Sequence, residues 1–195
     1  MTETVIGSLI AAFRLQRRYL PLAVLGLALT IAAVVVVVLL LQENCGNSRA
    51  LPAPNSGPAL VSQAQLERLA VTLGQPIYWA GPKSGYSYEL TRTASGRIFI
   101  RYLPQGVRAG DPRPTFLVVG TYAEPGSFFN LKRAAKTKGA LSLPLDNGGL
   151  VVFSSQKPTS VYFGYPNANY QVEVYAPSGD TARSLVLAGK VRPVR

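Results

Sequence analysis

The sequence predicts an α+β fold: one N-terminal transmembrane helix, then a single domain with a mainly antiparallel sheet and two to three short helices. Three observations predict it. Residues 20–41 form one uncharged apolar block. Beyond residue 62 the chain breaks into short segments of alternating or β-branched character, separated by Gly, Pro and Ser. Between those segments stand single stretches with helical spacing and capping residues at their ends.

The first 19 residues precede the apolar block. Val5, Ile6, Leu9, Ile10 and Phe13 recur at helical spacing and Arg14, Arg17 and Arg18 follow. Two readings fit: an amphipathic helix on the inner leaflet with its arginines at anionic headgroups, or an unstructured cytoplasmic tail.

From Leu20 to Leu41 the chain reads LPLAVLGLALTIAAVVVVVLLL, with Thr30 as its one polar side chain. At about 1.5 Å per residue this block extends roughly 33 Å as a helix, which matches a hydrocarbon core of about 30 Å. Pro21 falls in the first turn, where a missing N–H costs little. The β-branched run Val34–Val38 is no obstacle, because in lipid only a helix satisfies its own backbone. The apolar run is too long for a secretory h-region of roughly 7–15 residues, so an uncleaved anchor is expected. The arginines stand on the N-terminal side, and Gln42, Glu43 and Asn44 on the other. That asymmetry places the N-terminus in the cytoplasm and residues 42–195 outside.

Residues 42–61, QENCGNSRALPAPNSGPALV, have no hydrophobic period and read as a flexible neck. Cys45 is the single cysteine, so no intrachain disulfide forms. Its position suits an intermolecular bridge in a homodimer; a free thiol in the neck is the plainer alternative.

The extracytoplasmic domain is expected over residues 62–195. Ser62 caps a helix Gln63–Leu73 with Leu66, Leu69, Ala70 and Leu73 on one face and Gly74 as its stop. A hairpin follows, Tyr86–Thr93 and Arg97–Leu103, with Tyr86, Tyr88 and Leu90 on one face and Ser87, Glu89 and Thr91 on the other. Thr115–Tyr122, TFLVVGTY, is apolar enough for a central strand covered on both faces. Ser127 is expected to cap a helix Phe128–Lys138, closed by Gly139. Leu150–Ser155, Ser160–Tyr165 and Tyr170–Tyr175 read as strands, and Asp180 as the cap of a helix Thr181–Ala188.

The segments Leu73–Pro82 (LGQPIYWAGP), Tyr88–Thr91 (YELT) and Val119–Tyr122 (VGTY) carry a resemblance. Together they make the chain similar to a family of membrane-anchored envelope proteins of high-GC Gram-positive bacteria, over most of residues 62–195. That family has no assigned activity, so the resemblance implies an envelope location and transfers no catalytic, cofactor or binding residue.

The chain has no histidine, which excludes Ser-His-Asp and Cys-His catalysis and histidine metal ligation within it. No Walker sequence and no Gly-x-Gly-x-x-Gly occur, and no cofactor is expected. The domain's acids are Glu67, Glu89, Asp111, Glu124, Asp146, Glu173 and Asp180. Glycan hydrolysis needs two carboxylates facing one another; Glu89 and Glu173 could supply them on adjacent strands, or both could stand on a solvent-facing sheet surface.

Charge is more informative. Residues 62–195 hold 16 Lys and Arg against those seven acids, a net charge near +9. So basic a domain beside a membrane is drawn to anionic lipid, wall polymer or an acidic patch of another envelope protein; nucleic acid is not expected. The densest patch is Lys132, Arg133, Lys136 and Lys138. On a helix the first three fall within about a 100° arc opposite Phe128, Leu131 and Ala135. This patch is the candidate anionic-ligand surface; a solvated outer face is the plainer alternative. Tyr78, Trp79, Tyr162, Phe163, Tyr165, Tyr170 and Tyr175 are either a stacking platform or ordinary strand packing. The function expected from these features is binding or scaffolding at the cell envelope, with a carboxylate-based wall hydrolase as the alternative.

Overall fold

A computed structural model describes residues 52–194. The predicted transmembrane segment 20–41, the cytoplasmic segment 1–19 and Cys45 lie outside the described residues. The described part is α+β, a mainly antiparallel sheet with three short helices. In chain order it runs β1 (Ala59–Val61), α1 (Gln63–Leu73), β2 (Tyr78–Trp79), β3 (Tyr86–Arg92), β4 (Ile98–Pro104), β5 (Leu117–Ala123), α2 (Ser127–Ala134), β6 (Ala140–Pro144), β7 (Leu150–Ser154), β8 (Ser160–Gly164), β9 (Tyr170–Tyr175), α3 (Gly179–Leu187) and β10 (Arg192–Pro193).

Eight strands form one sheet in the order β1-β3-β4-β5-β9-β8-β7-β6, every neighbouring pair antiparallel. Two meanders, β3–β4–β5 and β6–β7–β8–β9, therefore abut along β5 and β9. The apolar run of β5 lies at that seam, with Val119, Gly120 and Thr121 all buried.

Paired residues share a face, so the register sorts the side chains. Leu90, Ile100, Val119, Val174 and Val161 form one row across five strands. With Ile98, Val172, Phe163 and Val151 they pack against Leu66 and Leu69 of α1 and Ala182 and Val186 of α3. The short ribbon β2–β10 closes this layer: Tyr78 N–H donates to Thr121 Oγ1 at 3.0 Å, and Ile77 and Trp79 are buried. The opposite face carries α2 over β7, β8 and β9. Leu131 is 2% exposed there and packs over Gly164, where a Cβ would stand 3.6 Å from Leu131 Cδ2.

α1 forms as its sequence predicts. Ser62 and Gln65 make a reciprocal capping box, and Gly74 closes the helix at φ 60°. Other expectations need correction. The neck does not extend to residue 61, because Ala59–Val61 pairs with β3 and Asn55 bonds to the end of the β3–β4 hairpin. The helix expected over Phe128–Lys138 spans Ser127–Ala134 and has Gly126 at its N-cap. Ser127 is buried, and its hydroxyl donates to the Ala168 carbonyl at 3.1 Å instead of capping. The helix ends early because Thr137 closes a tighter turn: its N–H and its hydroxyl both donate to the Ala134 carbonyl. α3 begins two residues before the expected start, with Ser178 rather than Asp180 at its N-cap. Strands β6 and β10, each containing a proline, are additional to the elements the sequence predicts.

Candidate functional site

A hydrolase would need two carboxylates together. Glu89 and Glu173 lie on the same face of the sheet, since Glu89 pairs with Arg101 and Glu173 lies in the row Thr91, Phe99, Gly120. Their strands are not adjacent. With β4 and β5 between β3 and β9, the two backbones stand about 14 Å apart at roughly 4.8 Å per strand. Each acid is also engaged where it sits. Glu89 is 1% exposed and ion-paired with Arg101 at 2.7 Å, and its second oxygen accepts from Gly110 N–H. Arg101 in turn donates to the Asp111 carbonyl at 2.6 Å, so the pair pins the loop between β4 and β5 over this half of the sheet. The solvent-face expectation thus fails for Glu89: a buried carboxylate persists because both its oxygens are satisfied.

Glu173 is half-buried and accepts from two phenols, Tyr122 from β5 and Tyr162 from β8, the latter at 2.9 Å. Burial and then the adjacent Glu173 charge push the Tyr162 hydroxyl up to about 12. The Tyr122 hydroxyl is raised too, by burial first and then by its hydrogen bond to Glu173 and the Glu173 charge. Asp111 is paired with Arg113, which holds its carboxyl down at about 2, and Asp180 is paired with Arg183. Glu67 accepts from Gln63 and Glu124 from Asn130. Among the described residues no three metal-ligating side chains converge.

The basic patch is real as a surface but not as one helix face. Lys132 and Arg133 stand on the last turn of α2, where cations complement the helix dipole. Lys136 and Lys138 lie in the turn between α2 and β6. All four are exposed, while Leu131 faces inward as expected. Phe129 is 64% exposed within the patch, with the Arg133 guanidinium 6.0 Å from its ring centroid. Lys132 stands 5.3 Å from the Phe128 ring. The arrangement is cationic with an exposed aromatic side chain beside Arg133, suited to a surface that is anionic and partly apolar.

Tyr78, Trp79, Tyr162, Phe163, Tyr165 and Tyr175 are engaged in packing or hydrogen bonds and do not form an open stacking platform. Phe163 and Trp79 are buried; Tyr78 and Tyr165 meet Phe163 edge-on, and the Tyr175 hydroxyl donates to the Pro114 carbonyl.

A feature the sequence does not announce is a cleft of about 440 Å3 on the α1/α3 side of the sheet. It opens between the β2–β3 turn, the start of β5 and the N-terminus of α3, and its walls include Pro82, Tyr86, Phe116, Leu117 and Leu185. Four separate stretches of chain build it, so no local motif marks it.

Comparison with protein-family models, with curated proteins and with solved structures found no match to this chain. Its chemistry is therefore read from its own geometry.

Proposed function

We propose that this chain is a single-pass membrane protein of the cell envelope, anchored by residues 20–41 with its N-terminus cytoplasmic. Its α+β domain is a binding or scaffolding module held outside the membrane. The observation that carries the binding role is the exposed cluster Lys132, Arg133, Lys136 and Lys138, with Phe129 exposed beside Arg133. Four cations within one turn-and-loop segment attract an anionic polymer or headgroup surface, each contributing on the order of 1 kcal/mol near an anionic membrane. The arginine and the exposed ring add a partly apolar contact.

The wall-hydrolase reading draws no support from Glu89 and Glu173. One is locked to Arg101 beneath a loop, and the other is held by two tyrosines across the sheet.

The test is sedimentation of the full-length protein, reconstituted in neutral vesicles, with purified anionic wall polymer and separately with anionic vesicles. The wild-type protein associates with one of them and high salt releases it. A variant with all four cations changed to Gln fails to associate. Equal association by the variant would overturn the assignment of this surface.

A further inference from the structure

The cleft on the α1/α3 side lies apart from the basic patch and has its own chemistry. Its body is apolar, with Tyr86, Phe116, Leu117 and Leu185 among its walls. At about 440 Å3 it falls within the roughly 300–1,000 Å3 of small-molecule sites. One charged side chain lines it, Lys83, and no Asp or Glu does. Among the described residues Lys83 makes no ion pair; its ammonium rests 4.0 Å from the centroid of the Tyr86 ring. That contact holds a positive charge at the edge of an apolar volume without neutralising it. Ser178, the N-cap of α3, and Thr181 in its first turn add hydroxyls.

The back wall is rigid. Tyr102 lines the cleft, and its hydroxyl accepts from Ala80 N–H at 2.7 Å and donates to the Gly81 carbonyl at 3.0 Å. The phenol is therefore committed within the wall. Lys83 remains the one charged group that lines the cleft, beside the hydroxyls of Tyr86, Thr115, Ser178 and Thr181.

We infer that this cleft binds a small amphiphilic anion, an apolar tail seated between Tyr86, Leu117 and Leu185 with one phosphate or carboxylate head at Lys83. The lysine acts as a point charge, which either head satisfies. A cationic amphiphile is rejected, because it would bring like charge to Lys83 with no carboxylate in the cleft to receive it.

The experiment is equilibrium dialysis of the full-length protein in neutral vesicles, against protein-free vesicles as blank. The probes are hexyl phosphate, heptanoate and hexyltrimethylammonium. Saturable, equimolar uptake of hexyl phosphate or heptanoate is expected, and the stronger of the two identifies the head. Lengthening the tail by one methylene tightens binding by up to about four-fold. Lys83→Gln weakens it by at least about tenfold, and Lys83→Arg restores much of the loss. Thr181→Trp, at an exposed position whose backbone N–H keeps its bond to Ser178, fills the mouth and blocks uptake. No uptake of either anion, equal uptake of the ammonium probe, or indifference to Lys83→Gln would overturn the inference. A tail-length series without effect would do so as well.

Discussion

Glu89 and Arg101 face each other directly across β3 and β4, their charges 2.7 Å apart and the glutamate 1% exposed. The pair also holds the following loop, through Gly110 N–H on the glutamate and the Asp111 carbonyl on the arginine. Removing one partner strands a buried charge, whereas removing both does not. Arg101→Ala should therefore cost about 3 kcal/mol in urea unfolding, on the scale of broken buried pairs. The double variant Glu89→Leu/Arg101→Met should lose clearly less than the single one. Equal losses would contradict a stranded buried charge as the source of the cost.

The Tyr122–Glu173–Tyr162 cluster predicts an alkaline transition. Folding favours the neutral phenols, since Tyr162 is raised from 10.0 to about 12 and Tyr122 is raised too. In that case the unfolded state loses its protons first. The contribution is fully present below pH 10 and is lost as pH climbs from 10 to about 12. Tyrosinate absorbance should show these phenols ionising late, and Tyr122→Phe/Tyr162→Phe should flatten the fall in stability across that window. A wild-type protein whose tyrosines all titrate together near 10 would contradict the cluster.

Gly179 starts α3 against the β7–β8 turn. A Cβ there would stand 2.2 Å from the Pro158 carbonyl oxygen, and backbone would have to move to admit it. Gly179→Ala should destabilise the domain by roughly 1–3 kcal/mol, as overpacking does. The neighbouring Ser178→Ala, which removes only the helix cap, should cost about 1 kcal/mol. Thermal unfolding of both variants separates the two effects; reversal of their order would show that the helix start is free to shift.

The topology has its own test. Cys45 is the chain's single cysteine and follows the apolar block by four residues. An impermeant maleimide added to intact cells should label it before lysis, and Cys45→Ser should remove the signal. Labelling only after permeabilisation would reverse the orientation.

What could be read from the sequence depended on how local each determinant is. α1 was legible because Ser62, Gln65 and Gly74 act within a few residues of the helix they bound. β3, β4 and β9 were legible from alternation, and β5 from its apolar run. β6 was not, because it is a five-residue segment that ends on Pro144; the proline is tolerated since β6 is an edge strand, a position decided by distant pairing with β7. The early end of α2 turns on Thr137 bonding back to Ala134, so Lys136 leaves the helix face on which the spacing places it, and Lys138 leaves the expected helix. Their exposure, which the charge pattern predicted, survived that change. The fate of Glu89 was illegible for a different reason: alternation assigned its face correctly, but the loop that buries it comes from residues beyond β4.

The most direct measurement is recovery of partners from native membranes, by crosslinking the full-length protein and identifying what it holds by mass spectrometry. It is run beside a variant with Lys132, Arg133, Lys136 and Lys138 changed to Gln. A binding module working through that surface should recover defined envelope components with the wild-type chain and lose them with the variant. The same components at the same yield from both would contradict the claim that this cationic surface is where the protein acts.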